Sequence, residues 1–443
     1  MKHKVFVWSL IIALGGFLFG FDTAVISGAE KAIQQYWLLS SFQHGFTVSI
    51  ALIGTVIGSL FGGIPADKLG RKNTLYLIAI LFLLSPLGTS TSTNWYLFLL
   101  FRFIGGLGVG ASSVTAPIYI SEISPSEKRG RLVALFQFNV VFGIVISYLS
   151  NFAIGQFGGG HSWRLMLGIE AVPAAIFLLL LRLIPESPRW LIIKKGDTKK
   201  AKAILEIINP ATADAVVARI EQHADDESKI IHKDPLFSRR YRFPVMLAML
   251  FALFNQASGI NAIIYYAPRI FEMTGLGAGS SLLSTVGIGV VNFSFTLLAM
   301  NFIDKVGRRT LMLIGSVGLI ITLALVSNSF HTAHFSRWGV TVYLLLYIAF
   351  FAFSQGAVIW VFISEIFPNQ VRAKGQTLGS TTHWVMAALI AFSFPLITEK
   401  AGGGNTFLFF TVMMCLQLLF VWKVMPETKG TSLEQVEQSL TEQ

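Results

Sequence analysis

Three ionisable residues stand within stretches that are otherwise apolar: Asp22, Arg102 and Glu170. A carboxylate surrounded by hydrocarbon is tolerable as an ion pair and costly alone, so its protonation is coupled to whether an arginine stays beside it. The three form a candidate proton-coupling set with Asp22 as the carrier. A static salt bridge joining two segments is the structural alternative. Glu170 lies near the outer end of its segment, and facing water is the alternative to its part in this set. A second set is uncharged: Gln137, Gln256, Asn261 and Asn292 lie in apolar runs, and an amide both donates and accepts, as the hydroxyl groups of a neutral ligand require. Aromatic rings occur along the same runs at Phe19, Tyr265, Tyr266, Trp360 and Trp384. Taken singly, a buried amide is better read as a bond between helices; as a group these residues are candidate ligand contacts.

The elements that must position them follow from composition. Of 443 residues, 53% are hydrophobic and only 13% charged, with mean hydropathy +0.65, whereas soluble domains carry about a quarter charged residues. Runs free of Asp, Glu, Lys and Arg cover 5–21, 73–101, 103–121, 132–163, 243–268, 273–303, 310–336, 338–364, 375–398 and 401–422. A helix crossing about 30 Å of hydrocarbon needs roughly 20 such residues. Segment 46–66 is also free of charge, and 165–184 is broken only by Glu170 and Arg182. The expectation is an all-α membrane protein with twelve transmembrane helices. A soluble enzyme with one apolar core is excluded, and so is a β-barrel, whose strands would alternate in polarity. The sequence contains no serine nucleophile elbow, no His-Glu-x-x-His helix and no phosphate-cradling loop, so neither an enzyme nor a cofactor is expected. The single Cys415 offers no disulfide framework and no cysteine metal site. Met-Lys-His-Lys at the start and the small residues Ser27-Gly28-Ala29 imitate a signal peptide, but Asp22 interrupts the apolar stretch and eleven further spans follow, so 5–21 reads as the first span.

With both termini inside, the cytoplasmic segments hold 27 Lys and Arg residues and the outer loops five: Lys31, Arg164, Arg269, Arg337 and Lys400. The positive-inside rule therefore places both termini in the cytoplasm of a multi-pass protein of the cell membrane. It also accounts for the net charge of +11: the basic residues face an anionic leaflet, and no nucleic acid is implied. The long polar interruption at 185–243 divides the chain into a first six-helix bundle, 1–184, a cytoplasmic linker, 185–243, a second six-helix bundle, 244–425, and a cytoplasmic tail, 426–443. Within the linker, Ala201, Ile204, Leu205 and Ile208 recur at helical spacing.

The halves repeat each other. Asp67-Lys-Leu-Gly-Arg71-Lys recurs as Asp304-Lys-Val-Gly-Arg308-Arg, Glu122-Ile-Ser-Pro with Arg129 recurs as Glu365-Ile-Phe-Pro with Arg372, and Gly20-Phe-Asp22 is matched by Gly259-Ile-Asn261. Equal orientation after an even number of spans makes this a parallel repeat, two pseudo-symmetric bundles in the arrangement of the major facilitator fold, with substrate expected near the midplane. Asp67, Arg71, Glu122, Arg129 and their counterparts Asp304, Arg308, Glu365 and Arg372 sit at span ends, where carboxylates and guanidinium groups can tie neighbouring helices together when the inner side is closed.

The chain resembles the sugar porters of the major facilitator superfamily along essentially its whole length. The resemblance is carried by Gly20-Phe-Asp-Thr-Ala-Val-Ile-Ser-Gly28, Gly63-Ile-Pro-Ala-Asp-Lys-Leu-Gly-Arg-Lys72, Arg102-Phe-Ile-Gly-Gly106, Pro117-Ile-Tyr-Ile-Ser-Glu122, Pro185-Glu186-Ser-Pro-Arg189-Trp-Leu191, Gln256-Ala-Ser-Gly-Ile-Asn261 and Pro426-Glu-Thr-Lys-Gly430. It implies that Gln137, Gln256, Asn261, Asn292 and Trp360 contact a monosaccharide, whose hydroxyls pair with amides and whose C–H faces stack on rings, with Phe19, Tyr266, Gly356 and Trp384 completing the site. It implies too that Asp22, Arg102 and Glu170 couple protons, and that Glu186 and Arg189 join the cytoplasmic gate. The implied partners are a monosaccharide, protons and the lipid bilayer, and a monomer suffices.

Departures from the family pattern bear on the substrate. Asn255 stands where a second Gln is usual, and His383 stands before Trp384 where an amide is common. Ile144 stands where a xylose transporter has Gln and glucose facilitators have Ile, which leans toward a hexose. Ala357 follows Gly356 where Pro is usual, which bears on the flexibility of that span in gating. The resulting expectation is proton-coupled symport of a glucose-like hexose by alternating access. Uncoupled facilitation, pentose symport and sugar sensing without transport are the alternatives.

Overall fold

The computed structural model describes residues 2–125, 128–157, 159, 161–229, 235–336, 338–368 and 371–429. Arg337, the end of the linker at 230–234 and the tail from Gly430 onward lie outside the described residues. Every regular element among them is helical. The spanning helices are α1 (Lys2–Tyr36), α2 (Ser41–Phe61), α3 (Arg71–Thr91), α4 (Trp95–Glu122), α5 (Arg129–Gln156), α6 (Ser162–Leu183), α7 (Arg239–Met273), α8 (Ala278–Val306), α9 (Arg308–Thr332) and α10 (Gly339–Glu365). The last helical stretch, Arg372–Lys423, has 52 residues, about twice what one crossing needs, and it is interrupted at Gly402, where φ is 79° and ψ 162°. It is therefore two spans, α11 (372–401) and α12 (403–423), and the total is the expected twelve.

By density of contacts the described chain forms two compact units. One comprises 1–23, 53–146 and 167–233; the other comprises 24–52, 147–166 and 234–443. The first is centred on Ile12, Leu75, Phe82, Tyr119, Phe177 and Leu181, extended by Trp190, Ala201, Ile204 and Leu205 of the linker. The second is centred on Phe251, Phe254, Met312, Phe362 and Phe420. The linker supplies the amphipathic helix that its spacing predicts, Thr198–Ile208, whose N-terminus is capped by the Asp197 carboxylate on the Lys200 N–H at 3.0 Å. A second helix, Ala213–Lys229, follows, joined to the first by Lys202 and Asp214 at 2.6 Å.

Spans in lipid gain little from apolar burial against each other, so close fit and small residues decide which helices meet. Between α1 and α5 the fit is reciprocal. A Cβ at Gly20 would overlap the Val140 carbonyl, and one at Gly143 would overlap the Phe17 carbonyl. Backbone therefore lies on backbone where α1 carries Asp22. Overpacking such a seam costs about 1–3 kcal/mol, so Gly143→Ala is expected to lower the thermal unfolding midpoint of the detergent-solubilised protein, whereas Gly130→Ala, where a Cβ meets nothing, leaves it unchanged.

Candidate functional site

Asp22 and Arg102 meet. The Arg102 Nη1 donates to Asp22 Oδ1 at 2.7 Å, and each residue is only 2% exposed. At Gly105, one turn along α4, a Cβ would crowd Ser85 Oγ. Glu170 occupies the turn between the two helical pieces of α6, Ser162–Gly168 and Ala171–Leu180. It does not face water, for it too is 2% exposed. It lies within electrostatic reach of both Asp22 and Arg102. The Arg102 Nε and Glu170 Oε1 have no hydrogen-bond partner, so one guanidinium donor and one acidic oxygen stand unspent beside a formed ion pair.

The amides of α7 form a chain. Asn261 Nδ2 donates to Gln256 Oε1 at 2.6 Å, and Gln256 Nε2 donates to Asn255 Oδ1 at 2.8 Å. Gln256 Nε2 also lies 3.3 Å from the His383 ring nitrogens. The His383 ring sits 4.9 Å from both the Trp360 and the Trp384 rings. Five expected residues thus share one cluster with Trp384, and Trp360 keeps 39% of its surface open. The sequence reads α7 as one run, but it breaks at Ser258 and Gly259, whose φ of 85° is left-handed. Asn255, Gln256 and Asn261 flank that break. Tyr347 donates from its hydroxyl to the freed Ser258 carbonyl at 2.9 Å.

The other expected contacts are placed differently. Tyr266 is fully buried, its hydroxyl bonded to the Ala391 carbonyl at 2.9 Å and its ring stacked on Phe394. Asn292 is half-buried on α8, outside the bonded chain. In the other unit Gln137 and Phe19 are half-buried, Phe19 against Phe136, and Ile144 is buried where α5 meets Gly20. Gly356 is half-buried at the start of the second piece of α10.

Although Ala357 replaces the usual Pro, α10 is not continuous. It breaks at Ser354, φ −115° and ψ −88°, between Gly339–Phe353 and Gln355–Glu365. Polar bonds replace the missing proline: Ser354 Oγ donates to the Phe350 carbonyl at 2.6 Å and Gln355 Nε2 to Gln417 Oε1 at 2.8 Å. Gly315 of α9 gives the bend its space, since a Cβ there would overlap Ser354 Oγ.

The span-end motifs build one network twice, once in each unit. Arg71 forks onto Glu122 with two bonds of 3.0 Å and reaches Asp67 at 3.0 Å. Arg308 forks onto Glu365 at 3.2 and 2.8 Å and reaches Asp304 at 2.8 Å. Such bidentate pairs are the strong form of the contact. Arg129, expected to serve Glu122, is exposed and takes no part in the Arg71 fork. Arg372, expected to serve Glu365, donates instead to the Phe367 carbonyl at 3.1 Å. Both are displaced because the arginine opening the preceding span already occupies the carboxylate. Arg189 is exposed on the turn Pro188–Trp190.

Glu186 accepts from the Arg71 and Lys72 backbone N–H groups at 3.0 and 3.1 Å. Glu427 accepts from those of Arg308 and Arg309 at 2.9 and 3.0 Å. Each carboxylate caps the orphan donors at a helix N-terminus, where the helix dipole also favours an anion. Each lies where a Cβ at the preceding glycine would collide with it, Gly70 (φ 94°) and Gly307 (φ 101°).

A family model described as sugar (and other) transporter matches residues 8–440. The chain belongs to this family, the sugar porters of the major facilitator superfamily. It is similar to the D-xylose-proton symporter of Escherichia coli K12, 34% identical over 98% of this chain and 95% of that protein. It is likewise similar to the glucose transporter GlcP of Staphylococcus epidermidis, 36% identical over 100% of this chain and 98% of the other. Among solved structures, the inward open conformation of the xylose transporter XylE from E. coli superposes with a TM-score of 0.88 at 34% identity, covering 98% of this chain and all of that one.

This sugar porter holds functional candidates beyond those its sequence points to. Glu427 repeats Glu186, as Pro185-Glu-Ser and Pro426-Glu-Thr, 241 residues apart, allow. Glu30, His44 and Arg269 form a cluster in which Glu30 and His44 are buried. Arg269 stands just past the end of a charge-free run, among the loop charges, and the pattern of charge alone carries no sign that the helix continues there. Burial pushes the Glu186 carboxyl above the usual carboxylate range, outweighing the N–H groups of Ser187, Lys72 and Arg71 and the Arg71 charge. A folded-state pKa above the unfolded one makes this group's contribution to stability complete below the unfolded value of 4.5 and lost as pH rises through the raised value. Relative to Glu186→Gln, the wild-type melting temperature is therefore expected to fall as pH is raised from about 4.5 to neutrality, read by thermal scans of both proteins in the same buffers.

Proposed function

We propose that this protein carries a monosaccharide together with a proton across the cytoplasmic membrane, with both termini inside, by alternating access. The observation that carries the coupled reading is the buried Asp22–Arg102 pair, 2.7 Å apart, with the unspent Arg102 Nε and Glu170 Oε1 beside it. A proton on Asp22 removes the anion that Arg102 holds; the guanidinium, which cannot stay unpaired away from water, then turns its free donor to Glu170. Protonation thereby shifts Arg102 between two carboxylates on different helices, α1 and α6. A facilitator without coupling has no need of two acids at that depth.

The sugar meets the α7 amides. Asn255, Gln256, Asn261 and His383 already bond one another, so a hydroxyl that enters exchanges one hydrogen bond for another at small net cost. Trp360 supplies the face for C–H stacking, and Asn292, Gly356 and Trp384 are the further contacts. Ile144 in place of a glutamine supports a hexose of glucose type. The whole-length similarity to a D-xylose-proton symporter keeps a pentose as the second reading. Arg71–Glu122 and Arg308–Glu365, with the Glu186 and Glu427 caps, act as the gate ties.

In sealed vesicles with an imposed inward proton gradient, Asp22→Asn is expected to abolish accumulation of labelled glucose while equilibrium exchange persists; accumulation at the wild-type level would overturn coupling through this residue. Gln256→Ala removes the centre of the amide chain, and the loss of hydrogen bonds worth about 1–3 kcal/mol should raise the KM for exchange roughly 10- to 100-fold. Competition by xylose in the same assay separates hexose from pentose.

A further inference from the structure

Glu30, near the end of α1, is 1% exposed, and His44, in the first turn of α2, is fully buried. The His44 Nε2 lies 2.7 Å from Glu30 Oε2, and Arg269 of α7 holds the other carboxylate oxygen at 3.0 Å. Arg269 also donates to Gln34 Oε1. The His44 contact is one of charge and not an aligned hydrogen bond: both ring nitrogens of His44 and Oε2 of Glu30 lack a hydrogen-bond partner. A neutral imidazole so placed leaves its polar atoms unsatisfied in a dry site, which costs free energy. An imidazolium instead faces a carboxylate.

We propose that Glu30 and His44 bind a proton between them, forming a second ionisable site distinct from Asp22, and that the protonated form fastens the start of α2 to α1 and α7. The surroundings are built for a fixed charge balance. Toward the pair α1 presents Glu30 and Lys31, and Lys31 is already tied to Glu272 of α7. From α7 come Arg269, Tyr265 and Tyr266, the last with its ring 5.8 Å from His44 and its hydroxyl committed to Ala391 of α11. From α5, Tyr148 donates to the Ile264 carbonyl at 2.9 Å. Imidazole is the kind of side chain that gains and loses a proton near neutrality. The same stretch of α2 also sits on α11, where a Cβ at Gly45 would overlap the Phe392 carbonyl, so loosening His44 frees an entire seam. With the orientation proposed above, the site faces the outside, and external acid fastens it.

Hydrogen exchange of the purified protein tests this without sugar or gradient, so its failure leaves the symport reading standing and a failure of the Asp22 test leaves this one standing. After correction for intrinsic rates, wild-type amides of 41–52 are expected to exchange about tenfold more slowly at about pH 5.5 than at about pH 8. His44→Gln and, independently, Glu30→Gln should both abolish that difference, and either variant suffices if the other does not fold. A flat wild-type profile, or a slope retained in a folded variant, would overturn the proposal.

Discussion

A charge held in hydrocarbon costs several kcal/mol unless an opposite charge and hydrogen bonds accompany it, and the placement of ionic groups in this protein follows from that constraint. Asp22 can stand in the middle of α1 because Arg102 of α4 reaches it. Glu30 is as deeply buried and is matched by Arg269. Neither pair is fully satisfied, since Arg102 Nε, Glu170 Oε1 and both His44 nitrogens have unspent bonding capacity. A saturated network would be a static clamp, whereas a network with one donor to spare has a second arrangement of similar energy. Switching residues are of this second kind.

The same accounting applies to the backbone, whose N–H and C=O groups have no water to turn to inside a bilayer. The interruptions of α7 and α10 are accordingly met by polar side chains. The Ser258 carbonyl, freed at the break in α7, is taken by Tyr347, and the bend at Ser354 is served by its own hydroxyl and stabilised by the buried Gln355–Gln417 bond. The breaks in α7 and α10 flank the residues proposed to hold the sugar, because only interrupted helices present amides and carbonyls together at that depth. At the span ends the orphan N–H groups of α3 and α9 are capped by Glu186 and Glu427, so the two-fold repeat is preserved in its hydrogen bonds as well as in its letters.

The amino-acid sequence by itself determined the class of protein, the number of spans and the repeat. These depend on properties that are additive along the chain: hydropathy summed over about 20 residues, and motif identity at a fixed offset. It also brought the α7 amides into view, because a polar residue in an apolar run is conspicuous wherever it points. The pairing of side chains was left to tertiary structure. Sequence assigned Glu122 to Arg129 and Glu365 to Arg372 by nearness along the chain, and the fold gave both carboxylates to Arg71 and Arg308, arriving from a neighbouring span. It left Glu170 near the end of its span, and the turn in α6 buried it. It counted Arg269 among the loop charges, and the helices brought it to the buried Glu30 and His44. Each case has the same physical reason: the energy of an ionic group is decided by what lies within a few ångströms of it, and in a bundle of helices those neighbours come from residues tens or hundreds of positions away.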